Sequence, residues 1–287
     1  MEYILITSAY NEEKYIQKTI ESVIKQKTLP LQWIIINDNS TDNTEKIIQK
    51  YLEIPFITYV NYENPERYVS SLGRVSKRVV ACVNEAIGHI KNNNFDCIGI
   101  LDADISFNEN LFTELLQKFT ANCKLGLGGG FIYNVIGNKK WSYFTKSELV
   151  GGPLQLFRKE CWEEIGGLYP GGHHDYYAVV SSKMHGWDVR SFSDLEILHL
   201  KNASVSDRSQ IKAKFHLGQM DYVCCEMFIY SFIRAVSLIR SKPVIIGSIL
   251  RVVGYLYAFS RRIPKQVPDE LKTFLRKEQI KKILSRH

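Results

Sequence analysis

The sequence predicts an α/β fold with a mostly parallel central sheet and helices on both faces. Three observations carry that expectation. Short apolar runs alternate with amphipathic stretches through the first hundred residues, in the order βαβαβ-αβ. Three of these runs end abruptly in a polar cluster: Ser8 to Glu13, Asp38 to Asp42, and Asp102-Ala103-Asp104. Sheets of this kind bind ligands at the carboxyl ends of their strands. The chain is also long enough, at 287 residues with 45% hydrophobic and 23% charged, to bury a large core.

Each element follows from its local pattern. Tyr3 to Thr7 reads as the first strand. Asn11 to Lys27 reads as an amphipathic helix with Ile16, Ile20, Val23 and Ile24 on one face and Glu12 and Glu13 in its first turn. Gln32 to Ile36 is a second strand, ending at Asn37-Asp38-Asn39-Ser40. One of Thr41, Asp42 and Asn43 then caps a helix to Tyr51, with Glu45 three residues after Asp42 as in a capping box. Phe56 to Val60 is a third strand, Val75 to Lys91 a third helix, and Cys97 to Leu101 a fourth strand.

The middle of the chain alternates differently. Leu125 to Tyr133 is a glycine-rich strand and Leu154 to Phe157 another. A helix from Lys159 to Ile165 stops at Gly166-Gly167. Pro170-Gly171-Gly172 signals a loop, Tyr176 to His185 a helix, and Glu196 to His199 the end of a strand. From Ile211 onward the pattern is mainly helical, including the apolar stretch Pro243 to Ser260 and a last helix from Glu270 to Leu284.

Composition narrows the classes further. Met1 to Thr7 lacks the basic start of a secretory signal, and no stretch approaches ~18 uninterrupted apolar residues. The six cysteines form no Cys-x-x-Cys pair and read as reduced and mostly buried. Together these point to a cytoplasmic protein. The net charge of +7 is unevenly placed: Arg234 to His287 holds 13 Lys/Arg against 3 Asp/Glu, a net of +10, which leaves the preceding residues at −3. A basic segment of this kind suits nucleic acid or an anionic membrane surface. No basic-aromatic module accompanies the charge, so nucleic acid is set aside. The apolar stretch around Arg251, flanked by Arg240, Lys242, Arg261 and Arg262, suits the interface of a membrane, or packing against the rest of the chain.

The nucleotide-binding glycine motifs are missing. There is no phosphate loop of the Gly-x-x-x-x-Gly-Lys-Ser/Thr type. Gly126 to Phe131 begins like a dinucleotide fingerprint, but Phe131 stands at the third glycine and no helix follows. A dinucleotide oxidoreductase is excluded on that ground. What remains is Asp102-Ala103-Asp104. Carboxylates at the end of a buried strand are costly unless a cation or hydrogen bonds compensate them, and residues i and i+2 of a strand share a side. A hard divalent cation is the natural partner.

The ordered set resembles family 2 glycosyltransferases. Its pieces are Thr7 to Glu12, Asn37 to Asp42, Asp102-Ala103-Asp104, Gly151-Gly152 leading into Phe157-Arg158, and Gly166-Gly167 before His174-Asp175. The resemblance covers roughly residues 1–200. It implies the GT-A fold and inverting transfer of a sugar from a nucleoside diphosphate donor with Mn²⁺ or Mg²⁺.

The resemblance also implies roles for single residues. Ala9, Tyr10 and Glu12 would line the nucleotide, and Asp38 would accept a hydrogen bond from the base, a uracil by preference. Alone, Asp38 would read as a helix cap. Arg74 would reach the diphosphate or solvent. Asp104 would bind the metal, Asp102 the metal or the ribose, and His199 would be a further metal or diphosphate ligand. Asp175 would be the general base, in a register set by Gly186-Trp187, although the family's usual preceding glutamate is His174 here.

The expected organisation is a catalytic domain over 1–210, with a nucleotide-sugar half (1–104) and an acceptor half (105–210), followed by a basic helical extension over 211–287. The expected acceptor is a glycan or lipid-linked glycan in cell-surface polysaccharide synthesis, met at the inner face of the cell membrane. No Gln-x-x-Arg-Trp motif of the processive polymerases follows Asp175, which favours addition of a single sugar. Two other readings stand beside this one: a nucleotidyltransferase, and a catalytically silent scaffold of the same fold. Oligomeric state is left open.

Overall fold

Alternation within the apolar runs sets the architecture. In β1 (Tyr3–Ala9), Tyr3 and Leu5 pack on one side of the sheet and Ile4 and Ile6 on the other. β2 (Gln32–Asn37) repeats this with Trp33 and Ile35 against Ile34 and Ile36, and every one of its residues is buried. Side chains of a strand point alternately to opposite faces, so such a strand must be covered on both. The helices α1 (Ile16–Ile24), α2 (Thr44–Gln49) and α4 (Leu111–Ala121) supply one cover. On the other face lie α3 (Arg74–Ile87), α5 (Lys159–Glu164) and α6 (His174–Met184).

The computed structural model describes residues 1–63, 74–136, 139–170, 173–201, 207–237, 245–265 and 267–284. Gly171, Gly172 and Pro243, and the side chain of Arg74, lie outside the described residues. The remaining strands are β3 (Ile57–Asn61), β4 (Cys97–Leu101), β5 (Ile105–Phe107), β6 (Leu125–Ile136), β7 (Lys139–Phe144), β8 (Leu154–Arg158) and β9 (Asp188–His199). They form one sheet in the order β3-β2-β1-β4-β8-β6-β9-β5, with β7 paired to β6. The first four in that order are parallel, as is β6 with β9; β8 and β5 run antiparallel to their neighbours.

Three elements were not read from the sequence. β5 is three residues long and carries no periodic signal of its own. β7 is a largely exposed partner of β6. By contrast, α4 carries Leu111, Phe112, Leu115, Leu116 and Phe119 at clear helical spacing, and its face is fully buried. The glycines of β6 have a packing reason. A Cβ at Gly128 would sit 2.7 Å from the Phe119 ring, and one at Gly130 would sit 2.4 Å from the Leu195 carbonyl. They let β6 approach α4 and β9.

The described residues fall into two compact units. One is drawn from Met1–Val69, Lys77–Pro170 and His174–Asn202; the other from Ser70–Ser76, Gly171–His173 and Ala203–His287. The second contains α7 (Asp207–Val223), α8 (Phe228–Ser237), α9 (Ile246–Ser260) and α10 (Asp269–Leu284). All six cysteines are free thiols, and only Cys123 is exposed.

Candidate active site

The carboxyl ends of β1 and β2 are laced together by two loops. Asn11 adopts a left-handed φ of 54°, and its side-chain oxygen accepts the Thr41 N–H at 2.8 Å while its own N–H donates to Ser40 Oγ at 3.0 Å. The Glu12 and Glu13 N–H groups donate to Thr44 Oγ1 and Asp42 Oδ2 at 2.7 and 3.1 Å. These bonds hold residues 11–15 out of helical geometry, so α1 begins at Ile16 and not at Asn11. Asp42 accepts the Thr44 N–H at 3.0 Å, and the expected box with Glu45 does not form at Asn43, the N-cap of α2.

Between these loops lies Asp38, 2% exposed, its N–H bonded to the Ala9 carbonyl at 2.8 Å. Arg78 of α3 donates to its carboxylate through both Nε, at 2.9 Å, and Nη2. The same guanidinium lies 4.1 Å from the centroid of the Tyr10 ring. A buried acceptor, a planar cation and an aromatic ring therefore share one corner. Asp38 presents an acceptor and Arg78 a donor, an edge that matches a base carrying an imide N–H beside a carbonyl.

The second group gathers around Asp102-Ala103-Asp104. The triplet is the turn between β4 and β5, not the last residues of β4, so turn geometry and not strand alternation brings its carboxylates together. The turn is held on three sides. Thr19 of α1 places its hydroxyl 2.9 and 2.8 Å from the carbonyls of Ala103 and Ile105. The Asp102 N–H donates to Pro153 O at 3.0 Å, and Leu200 N–H to Asp104 O at 2.8 Å. Pairing of β5 with β9 sets Ile105 opposite His199, which delivers the imidazole to the turn.

One ligand atom each from Asp102, Asp104 and His199 lie within 4.8 Å of one another. His199 Nε2 is 3.4 Å from Asp104 Oδ2, and Nδ1 lies 3.1 Å from Asn134 Oδ1. Because that amide oxygen only accepts, Nδ1 carries a proton and Nε2 faces the carboxylates, the arrangement in which an outer partner orients a metal-ligating histidine. Burial, then the charge of Asp104, pushes the Asp102 carboxyl up to about 7. Burial acts against protonated His199, but the hydrogen bond and charge of Asp104 outweigh it and raise the imidazole above its ordinary value.

Glu12 and Lys201 complete the cluster. They form an ion pair at the exit of β9, two residues past His199. Glu12 Oε2 is buried and accepts no hydrogen bond among the described residues. Burial first, and then Asp104, raises the Glu12 carboxyl against the lowering effect of Lys201. Two carboxylates and an imidazole fit Mn²⁺ or Mg²⁺, whose preferred ligands are oxygens, with imidazole tolerated best by the transition ion.

Asp175 opens α6 on the same side. The Gln155 amide donates to its backbone carbonyl at 3.1 Å. A Cβ on Gly152 would lie 3.1 Å from Asp175 Oδ2, so the glycine leaves room for that carboxylate. Its charge reaches Asp102 and contributes to the raised carboxyl there.

Comparison with known proteins agrees with this geometry. The profile described as Glycosyl transferase family 2 matches residues 4–177. The chain belongs to glycosyl transferase family 2. A poly-beta-1,6-N-acetyl-D-glucosamine synthase of Staphylococcus epidermidis is 28% identical over 180 residues, covering 56% of this chain and 40% of the synthase. The chain thus spans well under half the length of that relative. Among solved structures, the mannosyltransferase PcManGT from Pyrobaculum calidifontis, in complex with GDP-Man and Mn²⁺, superposes with a TM-score of 0.58 at 14% identity, over 97% of this chain and 80% of that one. S. aureus TarS 1-349 in complex with UDP-GlcNAc gives 0.54 at 15% identity, over 97% and 92%. The fold is GT-A, as the family resemblance implied.

Within that family fold, the residues expected from sequence meet in two places. Ala9, Tyr10 and Asp38 lie at the β1–β2 end; Glu12, Asp102, Asp104, His199 and Asp175 lie around the turn. Arg74 opens α3, one helical turn before Arg78, and it is Arg78 that reaches Asp38. Arg78, Lys201, Thr19 and Asn134 were not singled out in the sequence. For Arg78 the signal was its i+4 spacing from Arg74; for Lys201 it was its position two residues beyond His199.

Proposed function

We propose that this chain is an inverting, metal-dependent glycosyltransferase that moves one sugar from a UDP-sugar to a glycan or lipid-linked glycan at the inner face of the cell membrane. The observation that carries the reading is convergence: a buried carboxylate–guanidinium pair, a cluster of two carboxylates and an imidazole, and the further carboxylate of Asp175 lie along one edge of one sheet. Asp38 would accept the imide N–H of the base and Arg78 would donate to the adjacent carbonyl, with Tyr10 beside them. Asp104, Asp102 and His199 would hold Mn²⁺ or Mg²⁺. When bound, the ion supplies Lewis-acid stabilisation of the departing nucleoside diphosphate.

The remaining chemistry belongs to the side chains. Asp175 takes the acceptor hydroxyl proton as the oxygen bonds to the anomeric carbon, and the carbon–oxygen bond to the diphosphate breaks on the opposite face. Lys201, already at the site through Glu12, is placed to turn toward the diphosphate as its charge builds. Support for an N-acetylglucosamine-type or other UDP-linked sugar comes from relatives whose names mention such sugars and from a neighbour carrying UDP-GlcNAc.

A thermal-shift panel of UDP- and GDP-sugars, with and without Mn²⁺, tests the donor. A ligand at about 100 times its Kd adds ~2.7 kcal/mol to stability. A shift that appears only with a UDP-sugar plus Mn²⁺ is expected. The same panel on Asp175→Asn should show the shift undiminished while sugar transfer is lost. Transfer by Asp175→Asn at wild-type rate would remove Asp175 as the base.

A further inference from the structure

In the second compact unit, α8 and α9 turn their large apolar side chains outward. Along α8, Ser231 and Ala235 are buried at 2% and 1% exposure, whereas Phe228, Ile229, Phe232 and Val236 are exposed. Along α9 the buried positions are Gly247, Arg251, Gly254, Tyr255 and Ala258, while Ile246, Ile249, Val253 and Leu256 are exposed, at 45–56%. The exposed residues recur at three- and four-residue spacing, so each helix turns its large apolar stripe outward.

Apart from Tyr255, which packs on Tyr222, what these helices bury is polar or small. Asp221 of α7 accepts from Ser231 Oγ at 2.6 Å, from Arg234 Nη2 at 2.6 Å, and from Arg251 through Nε and Nη2 at 2.6 and 2.8 Å. Arg234 also donates to Glu226 at 2.7 Å. The backbones of α7 and α9 nearly touch: a Cβ on Gly254 would lie 2.1 Å from Phe215 O, and one on Gly218 would lie 1.8 Å from Arg251 O. A helix in water does the reverse, burying isoleucine and exposing arginine. Close helix contact through glycine with hydrogen-bonded polar groups inside and apolar side chains outside is the packing of helices in lipid.

We infer that the outward face of α8 and α9 is a monotopic docking surface that lies in one leaflet of an anionic bilayer. Arg261, Arg262 and Lys265 follow α9 directly and are exposed, placing positive charge at the end of the apolar face. This favours anionic headgroups, and it disfavours a second copy, whose face would bring like charge against like. The face lies on the membrane and does not cross it. α9, at 15 residues, is about 22 Å long, short of the ~30 Å hydrocarbon core, and no described helix is long and apolar enough to span. The inference gives a surface to the membrane location proposed above and is independent of the sugar-transfer chemistry.

Flotation of the full chain with vesicles tests it, using phosphatidylcholine alone and phosphatidylcholine with a third phosphatidylglycerol. Wild type should float with the anionic vesicles and far less with the neutral ones. The Ile249→Ser/Leu256→Ser variant, altered only at exposed positions, should lose at least about tenfold in partitioning. Arg261→Gln/Arg262→Gln should lose about thirtyfold on anionic vesicles, since each surface cation is worth ~1 kcal/mol, and nothing on neutral ones. Unchanged flotation of the serine variant overturns the inference. So does a wild-type chain that stays in the dense fraction, or one that light scattering finds as a dimer split by the serine substitutions. The UDP and Mn²⁺ thermal shift, read on the same samples, separates loss of docking from loss of the donor site.

Discussion

Cation binding at the Asp102–Asp104–His199 cluster should release protons, because two of its three groups are shifted toward their protonated forms. The Asp102 carboxyl is held at about 7 by burial and by Asp104, and the His199 imidazole is raised above its ordinary value by the same neighbour. Both must be deprotonated to serve a cation. The sign follows directly. Below pH 7 the metal-free site keeps the Asp102 proton, and each further unit of acidity costs the ion about tenfold in apparent affinity. Where His199 is also protonated, the slope approaches about two protons per ion.

The apo protein has the complementary dependence. A carboxyl raised on folding contributes stability that is present at low pH and lost as pH rises from the ordinary value of 3.8 toward about 7. The stabilisation by Mn²⁺ should therefore grow across that window. Calorimetric titration of Mn²⁺ in two buffers of different ionisation enthalpy, between pH 5.5 and 7.5, measures the protons released. In Asp102→Asn the released number should fall by about one below pH 7. Heats that do not depend on the buffer, with an affinity flat in pH, would refute the linkage and with it the assignment of these three side chains to one ion.

Two further predictions concern residues that only the folded chain brought into view. Arg78→Ala removes the guanidinium that donates twice to the buried Asp38 Oδ2 and should cost about 3 kcal/mol in denaturant unfolding, with the Asp38→Ala/Arg78→Ala double variant losing less than the sum of the single changes. Lys201→Met should lower kcat/KM by roughly tenfold to a hundredfold, the worth of one charge-assisted hydrogen bond to the diphosphate, while isothermal titration finds the Mn²⁺ affinity equal or tighter. A Lys201→Met enzyme with wild-type kinetics would show that the Glu12 pair is structural only.

The parallel half of the molecule was legible because buried strands write themselves plainly. β1, β2 and β4 are almost wholly apolar, and the polar residues that follow them mark the ligand edge. Asp38, Asp102 and Asp104 could be picked out because each follows the end of such a strand, and Asp175 because the family resemblance and Gly186-Trp187 set its register. What stayed hidden depends on pairing across the chain. His199 was expected at the site from the family resemblance, but the pairing with β5 that carries it to the turn was not read, because the three residues of β5 carry no pattern. Thr19 reads as one more helix residue until its hydroxyl is seen between two carbonyls 84 and 86 positions away. Arg78 reads as one more basic helix residue until its guanidinium is seen on Asp38, 40 positions away.

The charge around the turn also explains why its two cations come from one short segment. Glu12, Asp102, Asp104 and Asp175 crowd four carboxyl groups into mutual electrostatic range. Folding holds them there by raising the Asp102 carboxyl toward its neutral form and by pairing others with His199 and Lys201, both carried on the exit of β9. That balance serves the protein without ligands. An incoming diphosphate would bring further negative charge, which four carboxylates would repel, and a divalent cation held by Asp102, Asp104 and His199 would reverse the local sign so that the donor is attracted. Lys201 then has a choice between Glu12 and the phosphates, whereas His199, tied by Asn134, keeps its orientation. A fixed ligand and a movable counter-charge two residues apart would let one strand end both build the cation site and respond to what the cation brings.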